Sequence, residues 1–395
     1  MDDGEGILRL APTWVPRSYL VPGRRLKLDS RDLYAYGANR GGIDERWIAS
    51  TTMAMNENRT RDEGLSFVVG PDDSRFLLKD AIENAGETLI GSGLWTKYRR
   101  WPVYSKFFDN LGPIPHHLHQ SEEQAALVGR EGKPEGYYFP PQLNATFGDF
   151  PHTYFGLEPG TTKEQIRACL QGWYKGDNNI LNYSKAYRLQ PGTGWLVPTR
   201  VLHAPGSLLT YEPQWGSDVL SIFQSMVDGR EVKRELLVQD VPAEKANDLD
   251  FLVDMIDWDR NTDATFKSKH YLEPIIASGG EGDDHVDRWV VYGTIFGKQK
   301  FSAKELTLRP GARYRLPDKF ASGVVVTQGH GRIGKLDVDA PALIRFGQMT
   351  QDELFVSATA ATEGVIVENF SQTDSLVVLR YFGPDVHSDM PEVGD

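Results

Sequence analysis

The chain has 395 residues, 40% hydrophobic and 25% charged, with a net charge of −12, enough for two or three domains and a sizeable core. That charge argues against a general nucleic-acid binder, which needs clustered lysine and arginine to release counterions, and no apolar run approaches the ~18 residues of a membrane span. A single cysteine, Cys169, excludes an intrachain disulfide, and the acidic start at Asp2 and Asp3 lacks the basic-then-apolar pattern of a secretory signal, so the expected compartment is the cytoplasm. Any anionic substrate would need a local basic pocket, because the overall field repels it.

In chain order, the first predicted element is a helix over Leu78–Ile90. A histidine cluster follows at Pro115-His116-His117-Leu118-His119. On a strand, residues two apart project from one face about 7 Å from each other, so His117 and His119 can reach one ion. His116 then points the other way and is not a ligand. Glu135 heads an aromatic strand at 135–139. The run 161–164 reads as a capping box, and Ile166, Cys169, Leu170 and Trp173 follow on one apolar helical face. His203 closes a strand punctuated by Gly192, Gly194 and Pro198. A further helix is expected over 243–256, and the polar run 277–284 marks a domain boundary, with strands resuming at Trp289. Beyond it, 323–327, 342–346, 364–368 and 375–379 are short β-branched segments bounded by turn residues, the pattern of a sandwich or barrel.

Neutral imidazoles with a carboxylate make a shell for borderline divalent metals. Each candidate also has a plain structural reading: a polar strand end for the His117 and His119 pair, a surface charge for Glu135, a loop residue for His203. Taken together, the four follow the order of a cupin site. His-x-His and Glu come from one pair of strands, and the last His comes from a later strand across a small jelly roll.

Further motifs carry a resemblance to the type I mannose-6-phosphate isomerase family, in its bacterial cupin form. They are 43–50 with Trp47, 101–109 with Lys106, His117-Leu118-His119, Lys133-Pro134-Glu135, Pro198 to Ala204, 209–214 with Glu212, Ser217-Asp218 and 256–261. The resemblance implies a mainly β fold of two cupin (jelly-roll) domains. The first would be a metal-binding domain at 1–265 with a helical insertion, the second a metal-free domain at 266–395 with Asn369 where a ligand would stand. It implies one divalent ion, zinc by resemblance with Mn, Fe, Co or Ni as alternatives, on His117, His119, Glu135 and His203. Three departures stand out. His117 replaces the family's glutamine, Ile222 falls where its arginine lies, and Pro115 replaces a serine that helps hold phosphate. The last two imply a substrate without phosphate.

The implied reaction is aldose–ketose isomerisation of a sugar or sugar phosphate, moving a proton between C1 and C2 through an enediolate. Glu212 and Asp218 are the proton-transfer candidates. Lys133 and Lys106 would hold an oxyanion or a hydroxyl, and Trp47 would pack on the sugar ring. Other readings make the lysines rim ion pairs, Asp218 a turn cap with Ser217, and Glu212 a partner that orients a ligand imidazole. His152 reads as a solvent-facing loop histidine, His330 as part of a turn, and His270, His285 and His387 as lacking partners at ligand spacing. Two other functions share this shell: a non-catalytic sugar-binding or regulatory bicupin, and an iron-dependent cupin oxygenase. The sequence points to a small-molecule partner, with no nucleic acid and no membrane, and leaves the oligomeric state open.

Overall fold

The computed structural model describes residues 5–146, 148 and 150–394; the acidic start at Asp2 and Asp3 lies outside them. Antiparallel strands dominate. One sheet of seven strands runs in the order Tyr271–Leu272, Gly194–Val197, Glu135–Tyr138, Thr210–Trp215, Val103–Phe108, Gly42–Ile48, Thr13–Arg17. Against it packs a sheet of five strands, Ser184–Arg188, His152–Leu157, His203–Ala204, His117–Leu118 and Ser221–Ile222. Phe108, Tyr137, Trp195 and Phe155 form the aromatic core between the two. The mainly β, cupin-type fold expected from the sequence is the fold observed.

A second pair of sheets completes the molecule. Seven strands run Ile7–Arg9, Glu353–Val356, Ser322–Gln328, Leu376–Phe382, Ser302–Leu308, His285–Val291, Ile275–Glu281. Four strands, among them His330–Ile333 and Ile366–Asn369, lie opposite, and Leu306, Val324, Val378, Ile333 and Val367 fill the space between. The sheets divide the chain differently from a cut at 265: Ile7–Arg9 belongs to the second pair and Tyr271–Leu272 to the first.

Strand alternation sets the rest. In Glu135–Tyr138, Glu135 and Tyr137 face the first barrel while Gly136 and Tyr138 face the second. A Cβ at Gly136 would come within 2.5 Å of Val291, and the Tyr138 hydroxyl donates to Glu305 at 2.8 Å. Glycine is therefore the residue that lets the two large sheets meet here. Arg46 crosses the same interface, donating to both Asp352 oxygens at 2.8 Å and to Glu353 at 3.0 Å. All three are buried. Arg46→Met should lower unfolding free energy by about 3–5 kcal/mol, because it strands two carboxylates out of water; urea denaturation of the variant measures this.

Local expectations fare unevenly. The helix Leu78–Ile90 forms with the expected bounds and ends at Gly91, whose φ of 86° suits glycine. The next cap shifts by one: the box is Thr162 with Gln165, because the Thr161 hydroxyl already donates to the Glu158 carbonyl at 2.7 Å. The run 243–256 splits into a short turn and the helix Leu249–Asp254, since Asp248 caps a new start by accepting from Phe251 N–H. The supposed boundary 277–284 is mostly strand. Ile275–Glu281 is a sheet edge, polar because most of it faces solvent, and Gly280 allows the close approach of Asp287 O. The segment 342–346 is not a strand: Ile344 alone bridges, to Leu28, while Leu343 and Phe346 are exposed. His330 opens a strand rather than sitting in a turn, the positive φ falling on Gly329.

Candidate metal centre

Two short strands of the five-stranded sheet position the histidines: His117–Leu118, with His119 just beyond its end, and His203–Ala204. His203 pairs with His117 across the sheet, and Leu118 between His117 and His119 turns away into a separate apolar core. All three imidazoles are buried. Each Nδ1 is tied to a backbone carbonyl: His117 to Pro115 at 2.7 Å, His119 to Val219 at 2.7 Å, His203 to Val201 at 2.8 Å. A carbonyl only accepts, so each Nδ1 carries the proton and each Nε2 lone pair faces inward, that of His119 accepting from Lys133 Nζ at 3.0 Å. One donor atom from each ring lies within 4.8 Å of the other two.

Burial, with the neighbouring rings, pushes the His117 pKa well below its usual value and that of His119 down to about 4. Neutral imidazoles are what ligation requires. Glu135 enters from the facing sheet, with Oε2 2.9 Å from His119 Nε2 and Oε1 3.1 Å from His203 Nε2. Burial opposes its ionisation, yet His119 and Lys133 hold the carboxyl well below the usual range. Lys133 donates to it at 2.8 Å, and the Tyr137 hydroxyl donates to its other oxygen. Three inward lone pairs beside a buried carboxylate fit a divalent cation.

A second layer of charge lies over the histidines. Glu212 Oε1 stands 3.4 Å from Lys106 Nζ and 3.5 Å from Lys133 Nζ. Burial and the charge of Glu135 push its carboxyl up to about 8. Lys106 also meets Glu45 at 3.1 Å. Asp218 accepts two bonds from Arg17, at 3.0 and 3.2 Å, and one from Met55 N–H at 2.7 Å. Ser217 bonds Glu131 instead, so Asp218 is an arginine partner and not a turn cap. The chamber lined by these carboxylates and lysines, the His117 and His119 rings, Arg17, Tyr19, Leu220 and Ile222 has a volume of about 30 Å³.

Most of the residues singled out from the sequence meet in this chamber: His117, His119, Glu135, Lys133, Lys106, Glu212 and Asp218 line it, and His203 touches Glu135 behind them. Trp47 does not line it. Its ring is buried against Tyr104, and its Nε1 donates to Glu45 at 2.7 Å. Trp47 thus orients a carboxylate, because Glu45 and Trp47 share a face two residues apart. His116 points away as expected and meets the Ser184 hydroxyl at 3.0 Å. Pro115, through its carbonyl, holds the His117 tautomer. His152 is half-buried beside Tyr154, and His270 stacks on Phe266.

Sequence reading missed Arg17, Tyr19, Glu45 and Tyr137. Alternation could have found two of them, since Tyr137 follows Glu135 and Glu45 precedes Trp47 at strand spacing. For Arg17 no local signal exists, because its partner Asp218 lies 201 residues away.

Neither a protein-family model nor a curated protein matches the sequence. Solved structures do match. Mannose 6-phosphate isomerase from Bacillus subtilis superposes with a TM-score of 0.59 at 16% identity, covering 95% of this chain and 99% of that one. A variant of phosphomannose isomerase from Salmonella typhimurium gives 0.62 at 11% identity, covering 96% and 99%. A mannose 6-phosphate isomerase bound with zinc and yttrium gives 0.60 at 11% identity, with the same coverage. The chain shares their fold over at least 95% of its length.

Proposed function

We propose that this protein is a metal-dependent isomerase that interconverts an aldose and a ketose, acting on a sugar or sugar phosphate by proton transfer through an enediolate. One observation carries the reading: three imidazoles, each with Nδ1 tied to a carbonyl, converge beside Glu212, itself set between Lys106 and Lys133. The fold shared with mannose-6-phosphate isomerases supports it.

His117, His119, His203 and Glu135 would hold the ion, with zinc the first choice because a protein of this fold binds it. A divalent metal supplies polarisation of the carbonyl oxygen and stabilisation of the oxyanion. Glu212 moves the proton between the two carbons, since its carboxyl lines the chamber beside His117 and His119. Asp218, engaged by three donors, is less free to do so and holds Arg17 in place. Lys133 and Lys106 donate to the oxygens on which charge develops, where a buried donor counts most. Apolar Leu220 and Ile222, with the Tyr19 ring, keep water from the reacting carbons.

The test is metal analysis of the purified protein, followed by proton NMR in D2O with a panel of sugars and sugar phosphates. One metal per chain and deuterium appearing at C2 of one sugar, abolished in Glu135→Gln, is the expected result. Stoichiometric metal with no exchange on any of them overturns the reading.

A further inference from the structure

Arg17, Tyr19 and Leu220 line the metal chamber on one side and, on the other, an open cleft of about 760 Å³. The chamber's 30 Å³ has room for about two waters and far too little for a hexose. A sugar therefore reaches the histidines by displacing part of the chamber wall, and Tyr19 and Leu220 are the part that the chamber shares with this cleft. What the cleft can recognise follows from its charges.

Among the described residues lining chamber and cleft, every lysine and arginine already has a carboxylate. Arg17 is held by Asp218 and Glu45, Lys106 by Glu45 and Glu212, and Lys133 by Glu135 and Glu212. Lys233, at the cleft mouth, pairs with Glu57 at 3.3 Å. Glu235 adds a further negative charge there. Ile222, whose backbone pairs with His117, brings no charge to the wall. A phosphate needs free donors of positive charge. Recruiting Arg17 would leave Asp218 buried without a counter-ion, which is strongly unfavourable. The hydroxyl and amide groups of Ser18, Tyr19 and Gln239 in the same cleft suit neutral hydroxyls instead.

We propose that the ligand of this site is an unphosphorylated, uncharged sugar, admitted from the cleft between Tyr19 and Leu220 and gripped by hydrogen bonds rather than by ion pairing. This rests on the sugar-isomerase reading above, and binding separates the two. Calorimetric titration of the metal-loaded protein with free aldohexoses and ketohexoses, and with the 6-phosphate of each, is the experiment. At least one free sugar should bind about tenfold or more tighter than its phosphate ester, with a Kd that moves less than about twofold between roughly 50 and 500 mM salt. A tighter phosphate ester overturns the proposal, as does binding of neither class. Free sugars that bind but show no deuterium exchange at C2 support the ligand assignment and remove the isomerase reading.

Discussion

Glu212→Gln should slow deuterium exchange at C2 of the substrate by about 10²–10⁴-fold, the usual contribution of a positioned acid or base, while metal content stays at one per chain. The substitution keeps volume and shape, so the contacts of Glu212 with Lys106 and Lys133 lose charge and little packing. Glu135, the carboxylate that touches His119 and His203, is untouched. The readout is paired: exchange by NMR and metal by elemental analysis on the same sample. If Glu212 merely oriented a ligand imidazole, metal affinity would fall with activity. Exchange at the parent rate would remove Glu212 from the chemistry.

His203→Ala should drop bound metal to a small fraction of one per chain. Losing a partner that only orients a ligand typically costs 10–100-fold in affinity, and loss of a ligand should exceed about 10²-fold. His203 is fully buried, its Nδ1 is fixed by Val201, and its Nε2 meets Glu135 at 3.1 Å. His116→Ala is the matching control. His116 is also fully buried and lies beside His117, but its Nε2 meets Ser184 on the far side of the strand. Its removal should cost about 1–3 kcal/mol of stability and leave metal content unchanged. Equal metal loss in both variants would mean that the histidines act through folding alone, and the centre would have to be redrawn.

The two histidine predictions differ because of strand geometry, and that geometry was legible in the sequence. A period of two puts His117 and His119 on one face and His116 on the other whatever the strand pairs with. The same rule covers Glu135 with Tyr137. The helix Leu78–Ile90 was legible because its apolar spacing and its terminal Gly91 agree. Where segments failed, a competing local contact decided. Thr161 was taken by Glu158, Asp248 restarted the helix after it, and Gly280 allowed a polar edge strand where a linker was expected.

By itself, then, the sequence determined which side chains share a face, the order of the ligand-bearing strands, and a charge balance hostile to nucleic acids. Only the tertiary structure decided which charges meet. Arg17 found Asp218 across 201 residues, Arg46 found Asp352 across 306, and Trp47 came to rest against Glu45, outside the chamber lining. Facing is a property of neighbouring backbone dihedrals and can be read locally. Ion pairing depends on which strands lie side by side and how deeply they are buried, and both are set by the whole chain at once.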